Sequence, residues 1–276
     1  MTGPLDGIRV LSLALNLPGP LAAARLAGFG AAVTKIEPPA GDPLRLVAPG
    51  WYAELVAGQR VLTADVKTAA GRRLLDEESA RTDLLLTSMR PSAAARLELP
   101  EIVAAHRLAW VEVVGHDGED AELAGHDLTY QAVAGLLSPP AMPPVPWVDL
   151  LGAERAVSAA FAALRARELG APATIRVVLE ATAMDAAAAR RHGLTGPDGV
   201  LSGALPGYAV YACAAKDFVA VAAIEPHFAT RLAEHIGGTR DELAAAFASH
   251  PAEHWELLGR ELDIPIARVR EWGDDD

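Results

Sequence analysis

The stretch Ile8-Arg9-Val10-Leu11-Ser12-Leu13 is followed by Pro18-Gly19-Pro20, an apolar run over residues 21–29, Gly30, and a second short apolar stretch over 32–36. The first and last stretches predict buried strands. The Pro-Gly-Pro segment breaks the chain, and the run after it predicts a helix that glycine closes. Strand, helix and strand in so short a span predict a βαβ unit, with parallel strands and a right-handed crossover.

The same alternation continues toward the C-terminus. It predicts further strands over 61–64, 83–87, 108–114 and 175–179, and helices over 69–81, 128–137 and 150–168. This order predicts a doubly wound, Rossmann-like α/β domain with a mostly parallel sheet, spanning residues 1–192.

A glycine-rich segment, Gly193-Leu194-Thr195-Gly196-Pro197-Asp198-Gly199, is typical of a linker. Beyond it, a hairpin is predicted over 208–213 and 218–223, and helices over 226–235, 240–249 and 252–262. Residues 193–276 are therefore predicted to form a smaller α+β domain.

Composition excludes several classes of function. The net charge of −12 argues against nucleic-acid binding, which needs a basic surface, but a local arginine cluster could still hold a small anion. No apolar run is long enough to span a membrane, and the N-terminus lacks a signal-peptide pattern. Cys213 is the single cysteine, so no intramolecular disulfide and no cysteine-based metal site is expected, and we predict no metal site. A reduced, cytoplasmic setting is the default.

The tripeptide Gly-His-Asp occurs twice, at Gly115-His116-Asp117 and at Gly125-His126-Asp127. The first copy precedes an acidic turn and is predicted to be solvated. The second copy opens a predicted helix, where a histidine is held firmly and titrates near working pH, so His126 is a candidate acid/base group. The simpler alternative is a helix-start histidine bonded to Asp127.

Asp149 stands before a long apolar-faced segment, where an N-cap would be. Its alternative role is a nucleophile or general base at the carboxyl edge of the sheet, where open α/β folds place ligands. The proline run over 139–146 would give it an apolar setting, which raises the pKa of a carboxyl group.

Two other charged residues are candidates. Arg90 ends a predicted strand, where its guanidinium could hold a phosphate or, more simply, pair with Asp83 or a nearby glutamate at the surface. Glu225 precedes Pro226, a common helix start, but a second domain folded over the first would bring its carboxylate to the His126–Asp149 cleft.

These motifs resemble the family III CoA transferases and the related α-methylacyl-CoA racemases. The similarity covers nearly the whole chain, in six ordered blocks: residues 4–45, Ala64-Asp65-Val66-Lys67, Ser88-Met89-Arg90-Pro91, Asp149-Leu150-Leu151 with residues 162–168, Leu205-Pro206-Gly207-Tyr208, and Ile224-Glu225-Pro226-His227-Phe228. The family's glycine-rich run after the aspartate is missing, and a shifted alignment would put Ala153 at the catalytic position.

The resemblance implies an acyl-CoA thioester as substrate, with no permanently bound cofactor. In the transferases an aspartate, here Asp149, attacks the thioester and then carries CoA. In the racemases a histidine and the aspartate act on opposite faces of the α-carbon, which implies roles for His126 and Asp149 with help from Tyr130 and Glu225. CoA itself would lie along the first domain. The contacts assigned to it by resemblance are Arg90, Lys35 and Asp127.

Racemase-type proton transfer is our preferred hypothesis, because transferase chemistry leaves His126 without a role. A CoA transferase using Asp149 and a catalytically silent acyl-CoA-binding homologue are the alternatives. No Gly-x-Gly-x-x-Gly fingerprint supports nicotinamide binding. The chain ends short of the usual family length, and we expect an intertwined homodimer whose two subunits need not form closed, interlocked rings.

Overall fold

The alternating strands and helices of the first part of the chain form one parallel sheet. The computed structural model describes residues 3–270 and separates into two compact units between residues 186 and 187. The sequence places this boundary a few residues later, between 192 and 193.

The first unit contains these strands and helices in chain order: β1 Arg9–Ser12, α1 Pro18–Gly28, β2 Ala32–Glu37, α2 Leu44–Val47, α3 Pro49–Leu55, β3 Arg60–Thr63, α4 Ala69–Ser79, β4 Leu84–Thr87, α5 Pro91–Arg96, α6 Leu99–His106, β5 Ala109–Val114, α7 Asp127–Val133, α8 Trp147–Glu168, β6 Thr174–Val178 and α9 Leu179–Ala186.

The strand order in this sheet is β3-β2-β1-β4-β5-β6, and each neighbouring pair is parallel. This is the doubly wound, Rossmann-like order that the sequence predicts. The order reverses between β1 and β4, so the loops that leave their carboxyl ends diverge and open a crevice there. Open α/β sheets bind ligands in such a crevice.

The central strands are buried on both faces, because helices cover both sides of the sheet. In β4, Leu84 and Leu86 pack into the core on one face and Leu85 packs into the core on the other. Strand β5 divides in the same way, with Val111 on the first face and Trp110 on the second. Because both faces of these strands are buried, polar and apolar residues do not alternate along them. The strands therefore stand in the sequence as short apolar runs.

The second unit is a small α+β assembly, as predicted. It contains α10 Ala188–Arg191, β7 Tyr208–Ala212, β8 Phe218–Ala222, α11 Pro226–His235, α12 Arg240–Phe247, α13 Ala252–Leu262 and β9 Ile266–Arg268. Strands β7, β8 and β9 form an antiparallel sheet in that order. The hairpin and the three longer helices agree with the sequence analysis, whereas β9 was not anticipated.

Several helices begin at prolines, including the Pro18-Gly19-Pro20 segment that the sequence analysis treats as a chain break. Helix α1 starts at Pro18 rather than after Pro20, and α3 and α5 start at Pro49 and Pro91. Proline suits the first helical position, where its missing N–H would have no partner in any case. Within residues 3–270, no helix is both long and apolar enough to cross a membrane.

Candidate active site

A cavity of about 300 Å³ opens at the carboxyl edge of the first unit's sheet. It is lined by loops that follow β1, β4 and β5, and by the first turns of α7 and α8. Its polar and charged lining residues are Asn16, Ser88, Arg90, His126, Tyr130 and Asp149. The switch point of the sheet therefore carries a polar cavity, as the strand order leads one to expect.

Hydrogen bonds connect the loop after β1 with the loop after β4 at the edge of the cavity. The Ser88 hydroxyl accepts from the Leu15 amide at 2.9 Å and donates to the Leu15 carbonyl at 3.1 Å. Asn16, next to Leu15, adopts a left-handed backbone conformation with φ of 68°. Its backbone N–H donates to the Asp42 carboxylate at 3.0 Å. Asparagine tolerates this backbone region better than most residues. The loop that lines the cavity is thus fixed from two sides.

Asp149 is not the N-cap that its sequence position suggests. Helix α8 begins at Trp147, so Asp149 lies in its first turn. The cap comes from Asp127, whose Oδ1 accepts from the amides of Val148 and Asp149 at 2.7 and 3.1 Å, while its Oδ2 accepts from Gln131 at 2.6 Å. Since Asp127 occupies the amides at the helix start, the Asp149 carboxyl makes no hydrogen bond to any residue between 3 and 270.

This arrangement raises the pKa of Asp149 to about 7. Burial is the main cause, because it penalises the charged form, and the nearby negative charge of Asp127 adds to it. A carboxyl group that titrates near neutral pH can both accept and release a proton under working conditions. Ala153, the alternative catalytic position, is fully buried in the core.

His126 occupies the N-cap of α7 with extended backbone, φ −140° and ψ 166°. The Thr129 hydroxyl accepts from its amide at 3.0 Å and donates to its carbonyl at 2.8 Å. The backbone is therefore held, while the imidazole is exposed and forms no ion pair within residues 3–270. His126 does stand at the helix start, as the simpler interpretation has it, but Asp127 bonds to α8 and not to this imidazole.

Tyr130 is almost completely buried, yet its ring lines the cavity. A Cβ built on Gly115 would come within 2.3 Å of the Tyr130 hydroxyl, and one built on Gly125 within 2.5 Å of the ring. These two glycines make room for the tyrosine. Burial, with the negative charges of Asp149 and Glu180, raises the pKa of Tyr130 to about 12, so its hydroxyl stays protonated near neutral pH. This hydroxyl donates to no described residue.

His116 contradicts the prediction that the first Gly-His-Asp copy is solvated. Its side chain is 11% exposed, and its Nδ1 lies 2.8 Å from the Glu180 carboxylate. Its ring contacts the Tyr130 ring edge-on, with centroids 5.3 Å apart. Asp117 pairs with Arg176 at 2.7 Å. Strand β6 and the start of α9 thus supply partners for both the histidine and the aspartate of this copy.

Arg90 lines the cavity with an exposed guanidinium that forms no ion pair in the described residues. The surface pair with Asp83 is absent, because Asp83 binds Arg9 and Arg167 at 3.1 and 3.3 Å.

A second cavity, about 390 Å³, is lined by Lys67, Arg72, Ala93, Arg96 and Leu97. Arg72 donates to the carbonyls of Leu97 and Arg96, whereas the cationic ends of Lys67 and Arg96 form no ion pair within residues 3–270.

Lys35 does not line the first cavity, and Glu225 belongs to the second unit. The Lys35 ammonium is fully buried between Glu37 at 3.0 Å and Asp42 at 2.5 Å, so its charge is already satisfied inside the protein. Glu225 is the N-cap residue of α11 in the second unit, and its side chain makes no capping hydrogen bond. The roles that the resemblance assigns to these two residues stay predictions.

Comparison with known proteins gives the family. The model of "CoA-transferase family III" matches residues 5–275. The chain belongs to this family. Among curated relatives, mouse alpha-methylacyl-CoA racemase is 30% identical, over 97% of this chain and 74% of the mouse protein. Succinyl-CoA–D-citramalate CoA-transferase of Chloroflexus aurantiacus is 28% identical, over 96% and 78%.

Solved structures support the same fold for this family III protein. The crystal structure of the hypothetical protein Rv3272 from Mycobacterium tuberculosis aligns with a TM-score of 0.84 and 23% identity, covering 99% of this chain and 87% of that one. A CAIB/BAIF family protein from Brucella suis gives 0.79 at 20% identity, covering 98% and 85%. At these identities the likeness concerns the fold alone.

The fold of this family III member brings together His126, Tyr130, Asp149 and Arg90, with Asp127 directly behind Asp149. Sequence reasoning missed His116, Glu180, Lys67 and Arg96. A usable signal exists for the first two, because each lies just after a predicted parallel strand, and such positions converge at one edge of the sheet. Lys67 and Arg96 lie far apart in the chain, and their spacing gave no sign that they line one cavity.

Proposed function

We propose that this protein moves a proton at the α-carbon of an acyl-CoA thioester and so interconverts the two configurations there. One observation carries the proposal: His126 and Asp149 line the same cavity, and neither side chain forms an ion pair with another described residue. If these two side chains had only a structural role, we would expect them to be paired with charged residues of the protein. The racemase and transferase relatives give the substrate class, and the pair of titratable groups favours the racemase type.

The reaction needs one base and one acid. The α-hydrogen of a thioester is weakly acidic, and its removal leaves a pair of electrons that delocalises onto the thioester oxygen as an enolate. One member of the His126–Asp149 pair takes the proton from one face, and the other, protonated, returns a proton to the opposite face. The reverse reaction exchanges the two roles. An Asp149 carboxyl with a pKa of about 7 suits both directions, because neither protonation state is strongly disfavoured.

The enolate oxygen requires a hydrogen-bond donor, and Tyr130 is our candidate. Its hydroxyl has no acceptor among the residues that the structure describes, and its raised pKa keeps the proton in place. A donor held in advance by packing stabilises developing charge without reorganisation, and loss of one such donor costs about 10²–10³-fold in rate.

The CoA portion carries several negative charges, and the cations near the site suit them. Arg90 lies at the cavity, and Lys67 and Arg96 line the second one. Arginine and lysine with free donors bind phosphate through charge-assisted hydrogen bonds. We assign Arg90, Lys67 and Arg96 to the phosphate groups.

This assignment gives a prediction. Lys67→Ala and Arg96→Ala should each raise KM for an acyl-CoA by about tenfold, the value of one charged hydrogen bond, and leave kcat nearly unchanged. KM for the matching acyl-pantetheine, which lacks the nucleotide, should not move. Arg73→Ala is the control, because Arg73 is an exposed arginine on α4 that does not line the cavity. Equal effects on both substrates would remove these cations from CoA binding.

An apolar groove continues from the same two catalytic candidates. His126 and Asp149 also border a shallow cavity of about 290 Å³ whose other walls include Met142, Val145 and the prolines between them. An acyl chain could lie here while the thioester occupies the polar cavity. The proline run therefore contributes an apolar surface on one side of the reacting carbon.

Deuterium exchange tests the proposal. A 2-methylacyl-CoA of one configuration, incubated with the protein in heavy water, should gain deuterium at the α-carbon and lose optical purity at comparable rates. Absence of exchange together with CoA transfer to an added carboxylate would establish the transferase alternative instead. Acyl-CoA binding that survives Asp149→Ala, without any turnover by the unaltered protein, would establish a silent binding homologue.

Other features of the proposal rest on resemblance and sequence. We retain chemistry without a permanently bound cofactor, help from Glu225, an intertwined homodimer and a cytoplasmic setting as predictions. Sedimentation of the purified chain tests the homodimer directly.

A further inference from the structure

The His116–Glu180 pair lies behind the candidate active site and has no part in the proton transfers described above. His116 does not line the cavity, whereas its ring contacts Tyr130, which does. The His116 side chain is 11% exposed and its partner Glu180 is 33% exposed. A mostly buried imidazole costs more to bury than an apolar side chain would. The presence of this pair directly behind a cavity-lining tyrosine therefore calls for an explanation.

The sheet register creates this pair. In the parallel pair β5–β6, Val114 is opposite Val178, so the second residue beyond each strand, His116 and Glu180, emerges at the same place. The Glu180 amide also donates to the Gly115 carbonyl at 3.0 Å, which ties the two loops together. Because an ionised carboxylate only accepts, Nδ1 of His116 carries the proton in the 2.8 Å contact, and this fixes the plane of the imidazole.

Tyr130 is confined by the same loops. Its ring fits against Gly115 and Gly125, which leave no room for a side chain, and the His116 ring contacts it edge-on at 5.3 Å. The ring is thus held on these sides, Tyr130 lines the cavity, and its hydroxyl has no hydrogen-bond partner in the described residues.

We propose that the His116–Glu180 pair is a positioning element, which fixes Tyr130 so that its hydroxyl meets the thioester oxygen as charge develops there. The inference rests on the proposed function, in which Tyr130 is that donor. His116 acts only through Tyr130 and touches no reacting atom. Glu180 acts one step further away, by orienting His116.

A double-mutant cycle tests this coupling. In heavy-water exchange of a 2-methylacyl-CoA, His116→Ala should lower kcat by about 10–50-fold, a fraction of the loss expected for a whole donor, and change KM by less than about threefold. Tyr130→Phe should cost more. In the Tyr130→Phe background, His116→Ala should change kcat by less than about threefold, because there is no hydroxyl left to position. His116→Asn, whose amide can still donate to Glu180, should recover part of the rate.

A matched control exists in the same unit. His106 pairs with Asp76 at 2.8 Å, as His116 pairs with Glu180, but it lies at the end of α6 and outside the cavity. His106→Ala should leave exchange unchanged. If His116→Ala costs the same factor with and without the Tyr130 hydroxyl, the positioning role is wrong.

A spectroscopic measurement keeps this inference separate from the proposed function. Tyrosinate absorbance near 295 nm, corrected with the Tyr130→Phe protein, follows Tyr130 alone. Burial is the main cause of the raised pKa of Tyr130, so His116→Ala, which opens space beside the ring, should lower that pKa toward the ordinary tyrosine range, and His106→Ala should not. Exchange that is absent from the unaltered protein would refute the proposed function, whereas an unmoved Tyr130 titration in His116→Ala would refute the positioning role whatever the reaction.

Discussion

Asp149→Asn should abolish turnover and at the same time make the folded protein more stable above pH 7. The amide is nearly the same size as the carboxyl but neither takes nor gives a proton, so exchange should fall by at least about 10³-fold. The gain in stability has a separate cause. Asp149 is half-buried, next to Asp127, without a hydrogen bond to any described residue, and its charged form is disfavoured in the folded state.

The sign of the effect follows from the pKa. The pKa of Asp149 is raised from 3.8 to about 7 on folding, so between these values the folded protein holds a proton that the unfolded chain has released. The free energy of unfolding therefore falls as the pH rises through this window. Asparagine escapes this penalty, and its advantage should be absent below about pH 4, grow with pH and level off above about pH 7, at on the order of 2 to 4 kcal/mol.

Chemical unfolding of both proteins at pH 4, 6 and 8 measures this difference. Asp241→Asn is the control, because Asp241 is an exposed carboxylate in the first turn of α12 and does not line the cavity. It should leave exchange and the pH dependence of stability unchanged. If Asp149→Asn retains a tenth of the activity, or is no more stable at pH 8 than the unaltered protein, then Asp149 is an ordinary first-turn carboxylate.

The sheet and the position of the two catalytic candidates could be predicted from the sequence. The apolar strands and the βαβ order predict the doubly wound sheet, because buried parallel strands allow few other arrangements. The same order predicts that His126 and Asp149, each close to the start of a helix, come to the carboxyl edge. Each of these predictions uses short stretches of sequence: apolar strands, the order of strands and helices, and the residues at helix starts.

Contacts between distant segments were beyond that reasoning. An aspartate before an apolar run is typical of an N-cap of its own helix, but here Asp127, 22 residues earlier, caps the helix that carries Asp149. Only the packing of α7 against α8 reveals that the cap is already supplied. His116 and Glu180 are likewise 64 residues apart, and their meeting depends on the β5–β6 register, which periodicity does not specify.

The resemblance makes Lys35 a CoA contact, whereas the structure gives it an internal role. Its ammonium lies between Glu37 and Asp42 and 5.3 Å from the centre of the Tyr52 ring, and Tyr52 donates to Glu37 at 2.9 Å. Lys35→Met would leave two carboxylates buried side by side without a counter-charge. Breaking such a pair costs about 3–5 kcal/mol, so the variant should unfold at much lower denaturant concentration.

The two roles of Lys35 give different results. Asp42 also holds the Asn16 amide at the cavity, so an internal role predicts lost stability together with a weakened site, and Lys35→Met combined with Asp42→Asn should recover part of the stability by removing one of the unpaired charges. A direct CoA contact predicts a raised KM with unchanged unfolding. Lys67→Met is the control for stability, because Lys67 is exposed. Full burial of the Lys35 ammonium leads us to expect the first result, in which this lysine serves CoA only through the loop that Asp42 holds.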